Sequence, residues 1–307
     1  MSEVIAGKTK PVTVIMRSYN EMPHTPASLE ALFRQRFTDF DVIAVDSGST
    51  DGSVAVFEQW RQRVKGKFDF HFIQIPKSEY GHGKTLNMAI GKTQAKIVVL
   101  LNADATPVDE YWLERLIAPF EKDEKIAATF SRQLVRAGTR PLIAFDAERF
   151  FPAQDKEYHW KYMIHYSQSA SAIRHSVWEQ RPYYTDAYAS EDEEWAKWWI
   201  DRGYRIVYVP DSMAFHSHPY TLAQYRHRMY TEAIADMFVF PDLRPSILRL
   251  LKGCAHMILL DWAWCVPRGH LVSALYSPVF RVTQQIAFYR GQKEGEKLRA
   301  AKAAARK

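Results

Sequence analysis

The stretch 41-DVIAVDSGSTDGSVAVFEQWRQRV-64 joins three signals in a fixed order. Asp41–Asp46 is a short, β-branched apolar run of buried-strand length. "GSTDGS" supplies a turn, with Asp51 as a helix cap. "VAVFEQWRQRV" then turns amphipathic with helical spacing. A strand, a tight turn and a helix make half of a βαβ unit, and the neighbouring sequence repeats the pattern.

"VTVIM" (Val12–Met16) precedes it as a buried strand, with a helix expected over Ala27–Arg36. "FDFHFIQI" (Phe68–Ile75) is the next strand, "KTLNMAIGKTQ" a helix, and "KIVVLL" (Lys96–Leu101) a fourth strand. Such a β-α-β-α-β-α-β series predicts a parallel sheet covered by helices, with ligands beyond the C-terminal strand ends. The second half is less regular. "KIAATFSRQLVR" reads as a strand leading into a loop, and "SQSASAIRHSVWEQ" as a small-residue segment before a helix start. A helix over Glu191–Arg202 follows, stopped by Gly203, then a strand "RIVYVP" and the histidine loop "HSH". Beyond Tyr220 the chain reads as helical, ending in a basic Ala/Lys/Arg-rich tail.

Composition narrows the function classes. The chain has 307 residues, a net charge of +6 and two cysteines, Cys254 and Cys265. Neither a disulfide framework nor a cysteine zinc site follows, so a reducing compartment is expected. The N-terminus lacks a signal-peptide apolar run, and no apolar run reaches spanning length. Residues 244–307 hold twelve Lys or Arg against three Asp or Glu, a balance of +9, which leaves −3 for the rest. A basic stripe with interleaved aromatics, as nucleic acid requires, is missing from the body. The first strand is followed by "RSYNE", which completes neither a Walker loop nor a dinucleotide glycine pattern.

The strand ends supply the candidate chemistry. Asp104 in "NADATP" could hold a divalent metal on a diphosphate, since magnesium and manganese take oxygen ligands. Its competing role is an N-cap before "VDEYWLERL". Asn102 could hydrogen-bond a ribose or phosphate. Asp46 could accept from a nucleobase N–H, against the plainer reading of a turn residue. Gly81 and Gly83 permit close backbone approach, with His82 or Lys84 meeting phosphate oxygens. In "YASEDEEW" four acids open a helix, where the macrodipole favours them. That accounts for Glu193 and Glu194. Glu191 and Asp192 follow the small residues Ala189 and Ser190, so one of them could face a pocket as a general base. His216 could offer a neutral ring nitrogen to a metal, with His218 as the competing choice.

Taken together, "VTVIMRSYNE", "VIAVDSGSTDGS", "YGHGKTLNMAI", "VVLLNADATP" and "SEDEEWAKWWIDRGYRIVYVP" resemble, in this order, family 2 glycosyltransferases of the GT-A fold. The resemblance spans about residues 10–235. "DSGSTDG" with Ser47, "GHGKTLN", "SRQL" (Ser131–Leu134), "SAIRHSVWEQ" and "HSHPYTLAQY" are most similar to the bacterial rhamnosyltransferase-like branch. The resemblance implies an α/β fold: a Rossmann-like, mostly parallel central sheet flanked by helices. Residues 1–220 would form the glycosyltransferase domain and 221–307 a C-terminal helical extension. It further implies an inverting hexosyltransferase that takes a nucleotide-sugar donor and a glycan or lipid-linked acceptor in cell-surface polysaccharide synthesis. Ser18, Tyr19, Asn20, Glu21, Asp46 and Ser47 would line the nucleoside pocket. Gly83, Lys84, Asn102, Ala103 and Asp104 would meet the rest of the donor. Asp104 and His216, or His218, would hold Mg or Mn. Asp192 would be the catalytic base beside Glu191. One departure stands out: many relatives have Asp-X-Asp where this chain has Asn102-Ala103-Asp104, which removes one charge from the metal or ribose site.

Two regions bear on partners. Phe145–Ser169 is rich in aromatics that could stack on acceptor sugars, against plain core packing. "SILRLLKGCAHMILLDWAWCVPRGHLVSALYSPVF" combines apolar bulk with Arg249, Lys252, Arg268 and Arg281. It suits helices lying on a membrane surface, which would place a cytoplasmic protein on the inner face of the cytoplasmic membrane. Packing on the sheet or on a second subunit is the alternative. The rival functions are a degenerate carbohydrate-binding or scaffold subunit, supported by Asn102, and a sugar nucleotidyltransferase. The latter is opposed by the absence of glycine in "RSYNEMPH".

Overall fold

The fold is taken from a computed structural model that describes residues 3–7, 10–154, 159–160, 162–185 and 190–304. Its first half is the expected alternation: β1 (Val12–Ser18), α1 (His24–Phe33), β2 (Phe40–Asp46), α2 (Ser53–Arg63), β3 (Phe70–Gln74), α3 (His82–Ile90) and β4 (Ile97–Asn102). All three pairings among these strands are parallel, with Val12 opposite both Phe40 and Ile97. The strands are apolar on both faces because helices cover both sides. Val14, Met16, Val42 and Val99 pack with Leu29, Leu32 and Phe57 on one side. Ile15, Ile43, Val98 and Leu100 pack with Leu86 and Trp195 on the other.

The remaining elements are β5 (Thr106–Pro107), α4 (Trp112–Ile117), α5 (Pro119–Lys122), β6 (Ile126–Leu134), α6 (Pro141–Phe150), a small ribbon of β7 (His159–Trp160) and β8 (Met163–Ile164), β9 (Ala170–Arg174), α7 (His175–Gln180), α8 (Glu191–Ile200), β10 (Arg205–Phe215), α9 (Leu222–Val239), α10 (Ile247–Cys265) and α11 (Leu271–Ala304). The eight-stranded sheet runs β3-β2-β1-β4-β9-β6-β10-β5. Here the sheet becomes mixed. The small-residue segment before α7 is a strand, β9, wedged antiparallel between β4 and β6. Ala170, Ser171 and Ala172 are buried there, where the sheet has covered faces and little room.

Two details position the site. β10 does not end at Pro210: its pairing with β6 skips between Val209 and Met213 and then resumes to Phe215. A proline without an N–H fits this irregularity, which re-aims the strand toward the residues beyond it. In the C-terminal hairpin, Pro278 inside α11 lacks the N–H that would bond Ala274 O. The Trp262 indole N–H of α10 donates to that carbonyl instead, at 2.9 Å, and ties the two helices together.

Candidate active site

The carboxylate of Asp104, just beyond β4, is 2 % exposed. Its Oδ2 lies 3.4 Å from His216 Nε2 and 3.7 Å from His218 Nε2. Sequence distance is bridged by the sheet: β5 and β10 are antiparallel neighbours, so the two loops meet. The N-cap role for Asp104 therefore fails.

The hydrogen bonds define the protonation state. Gln133 on β6 donates its Nε2 to Ser167 Oγ at 2.7 Å, which leaves Gln133 Oε1 as an acceptor. His216 Nδ1 sits 2.8 Å from that oxygen and so carries the proton. Burial drives the imidazole down to about 4, so it is neutral at ordinary pH. His216 Nε2 then presents a lone pair to Asp104 Oδ2, and both atoms are buried without a hydrogen-bond partner. Two facing acceptors repel unless a cation lies between them. A carboxylate and imidazoles, one of them oriented by an amide behind it, are a donor set that fits a divalent metal. His218 is the less buried imidazole, also held neutral by burial.

The other strand ends surround this cluster. Glu21 is pushed up to about 7 by burial and then by the charges of Asp104 and Asp51. Asn20 has a left-handed backbone, φ 55°, held by Thr50 N–H donating to its Oδ1 at 2.8 Å and by its own N–H donating to Ser49 Oγ. Tyr19 is exposed, with Lys77 Nζ donating to its hydroxyl at 2.6 Å. Ser18 and Ser47 are buried and joined by Ser47 N–H to Ser18 O. Asp46 is buried with its oxygens taken by Gly48 N–H, Ser49 N–H and Ser49 Oγ. These three bonds shape the loop and fix the carboxylate at the end of β2. Asp51 caps α2 from one residue further out than a standard cap, accepting from Ser53 N–H, and also accepts from Met22 N–H.

At α3 the structure adds a packing reason for one glycine. A Cβ on Gly83 would lie 2.6 Å from Tyr184 O, so the missing side chain admits a backbone carbonyl. Lys84 is exposed, and among the described residues none gives it a hydrogen bond or ion pair.

At the start of α8 the four acids divide differently from the expected pairing. Glu191 is buried and accepts from Gln168 Nε2. Arg17 Nη1 approaches it to 4.0 Å, while Arg17 Nη2 donates to Asn102 Oδ1 at 3.2 Å. Asn102 is thus part of an Arg17–Glu191 link. Ala103 is buried, its N–H donating to Arg17 O. Burial and then the Glu191 charge push the Asp192 carboxyl up to about 6. Glu193 and Glu194 do more than serve the helix dipole. Glu193 accepts from Ile164 N–H at 2.7 Å, and Glu194 pairs with Arg181 at 2.5 Å. Ser190, which begins the helix, has φ 58°. It and Asn20 are the non-glycine residues with positive φ among the described residues, and both border the site. Ala189 lies outside the described residues.

Asp192, Ser190, His216 and His218 line one cavity of about 1050 Å³. Its other walls include Phe150, Tyr162 and Tyr166 from the aromatic segment, and Arg228 and Glu232 from α9. Phe145 from the same segment is instead buried against Trp264. Residues 155–158 and 161 of that segment are not among those described. Sequence reasoning missed Arg17, Gln133 and Gln168 as site residues. Arg17 and Gln133 had a weak signal in "RSYNE" and "SRQL"; Gln168 had none.

The mixed sheet flanked by helices, with a C-terminal helical stretch, is the GT-A fold of glycosyltransferases. The chain belongs to glycosyl transferase family 2, whose sequence profile matches residues 13–181, more than half its length. It is 28% identical over 251 residues to the O-antigen chain rhamnosyltransferase RfbN of Salmonella typhimurium, covering 79% of this chain and 76% of that one. It is 29% identical over 222 residues to the O-antigen chain rhamnosyltransferase WbaN of Salmonella anatum, covering 69% and 66%. Among solved structures it is similar to the mannosyltransferase PcManGT of Pyrobaculum calidifontis in complex with GDP-Man and Mn2+. That match has a TM-score of 0.64 and 19% identity, over 95% of this chain and 89% of that one. Staphylococcus aureus TarS 1-349 with UDP-GlcNAc matches at TM-score 0.52 and 15% identity, over 93% and 91%. These two likenesses are of fold.

Proposed function

We propose that the chain transfers a sugar, L-rhamnose, from a nucleoside-diphosphate donor to a hydroxyl of a glycan or lipid-linked acceptor in O-antigen-type polysaccharide synthesis. The two O-antigen rhamnosyltransferases that it resembles support the sugar and the setting. The observation that carries the reaction is that Asp192 and the histidines beside Asp104 line one cavity.

The displacement is single and inverts the anomeric centre. The acceptor oxygen bonds to the anomeric carbon, the bond to phosphate oxygen breaks, and the diphosphate leaves with the electron pair. Asp192 takes the hydroxyl proton. With its carboxyl at about 6 it is ionised at neutral pH yet basic enough to accept a proton as the bond forms. Burial first and then the neighbouring Glu191 charge hold that basicity, and Arg17 and Gln168 hold Glu191. Asp104 and His216, with His218, would hold Mg or Mn, which supplies positive charge to the departing diphosphate. Ser18–Glu21 and Asn102–Ala103 form the donor side. Residues 1–220 then act as the transferase domain. The extension, 221–307, completes the acceptor cavity through α9–α11.

Asp192→Asn tests the reading. Calorimetric affinity for dTDP-rhamnose with manganese should stay unchanged while transfer falls about 10²–10⁴-fold. Wild-type turnover in the variant removes Asp192 from the base role.

A further inference from the structure

We propose that the α10–α11 hairpin docks the protein on an anionic lipid bilayer, lying in the interface without crossing it. Twelve of the twenty exposed large hydrophobic residues among the described residues fall between Ile247 and Ile286. On α11 they run Leu271, Leu275, Val279, Val282 and Ile286, steps of four, four, three and four that keep to one helix face. Leu259 and Trp262 on α10, and Val266 in the turn that follows it, repeat the spacing toward the same hairpin tip. Exposure peaks at that tip, with Val272 at 82% and Leu275 at 81%.

The hairpin differs from a water-facing pair of helices, because it buries a charged network and leaves an apolar face outside. Its buried side sets Asp261, Ser277 and Arg281 among Cys265, Ala274 and Phe280, while Leu, Val and Trp face outward. An apolar face of this extent marks a binding surface rather than scattered exposure. No helix among the described residues is long and apolar enough to cross a membrane. An amphipathic pair lying in the headgroup region meets both conditions.

Charge selects the partner. Residues 244–307 carry a balance of +9. Arg249 and Lys252 line, with Leu248 and His256, a shallow groove of about 460 Å³ on α10, so two cations sit next to the exposed Leu248 and Leu251 of that helix. Two copies pressed together through this face would oppose like charges. Anionic headgroups complement them. The inner side of the same hairpin lines the cavity through Met257, Gln284, Gln285 and Phe288. Docking therefore sets that cavity beside the bilayer. Its use for a lipid-linked acceptor rests on the proposed function, but the docking itself does not.

The experiment uses the full chain without donor, so its outcome is independent of the transfer reaction. Sedimentation with vesicles of phosphatidylcholine and phosphatidylglycerol at low salt should carry the protein down, and pure phosphatidylcholine should not. Val272→Glu with Leu275→Glu should abolish binding at unchanged circular dichroism. Arg249→Gln with Lys252→Gln should weaken it about 25-fold, about fivefold per basic residue. If the glutamate variant does not fold, an environment-sensitive dye on Val272→Cys should shift to the blue on the anionic vesicles. Protein that stays in the supernatant with every vesicle, a folded glutamate variant that binds as well as wild type, or a dye that does not shift overturns the proposal. So does a wild-type dimer that ignores vesicles and is dispersed by the glutamate substitutions.

Discussion

Gln133 shows how far one amide governs the site. By accepting a hydrogen bond from His216 Nδ1–H it leaves Nε2 bare and aimed at Asp104. Gln133→Ala frees the ring to change tautomer. Manganese affinity, read by calorimetry with nucleoside diphosphate, should fall about 10–100-fold, as for other groups that orient a metal-binding histidine. Asp104→Ala should lower it further. Asp192 makes a pH prediction. Its raised carboxyl is protonated below about 6 and cannot accept a proton there. The transfer rate should therefore fall about tenfold per pH unit below that value and level off above it. The residual rate of Asp192→Asn should lack this limb; a limb that persists belongs to another group. Asp104, the pair His216 and His218, and Asp192 stood out as candidates in the sequence because strand ends and acid clusters have local signatures. Arg17, Gln133 and Gln168 were not, because their roles depend on partners far along the chain.

Elements differ in how much of themselves they announce. β1, β2 and β4 are β-branched runs buried on both faces, and hydrophobicity alone reveals them. β9 lacks that pattern. Ala170, Ser171 and Ala172 are small because both faces of the sheet are already filled around them, and only its neighbours β4 and β6 make it a strand. The extension of β10 beyond Pro210 was hidden in the same way, since its pairing resumes after a skip. α3 shows the reverse, a local motif with an unexpected use. Gly83→Ala would push a methyl onto the Tyr184 carbonyl, and backbone cannot swing aside as a side chain does. A loss of about 1–3 kcal/mol is expected in urea unfolding. Unchanged stability would mean that the 183–184 segment yields freely.

At the scale of the molecule, Arg281 ties the extension to the body. It has no exposed surface and binds Asp261 at 2.7 Å and Asp146 at 2.8 Å, joining α11 to α10 and α6. Removing one partner leaves a buried cation short of charge. Asp261→Ala should cost about 3–5 kcal/mol in chemical denaturation. A loss under about 1 kcal/mol, the size of an exposed pair, would place the network in solvent. The sequence by itself determined the alternation of strands and helices, the carboxylates at the strand ends and the basic, apolar C-terminal run, because each depends on residues close together in the chain. Tertiary structure alone decided which nitrogen of His216 is bare, what holds Glu191 and which face of the hairpin is left to solvent. Those outcomes rest on contacts such as His216 with Gln133, 83 positions apart, and Arg281 with Asp146, 135 apart. Protonation and burial are set by neighbours in space, and no local pattern encodes them.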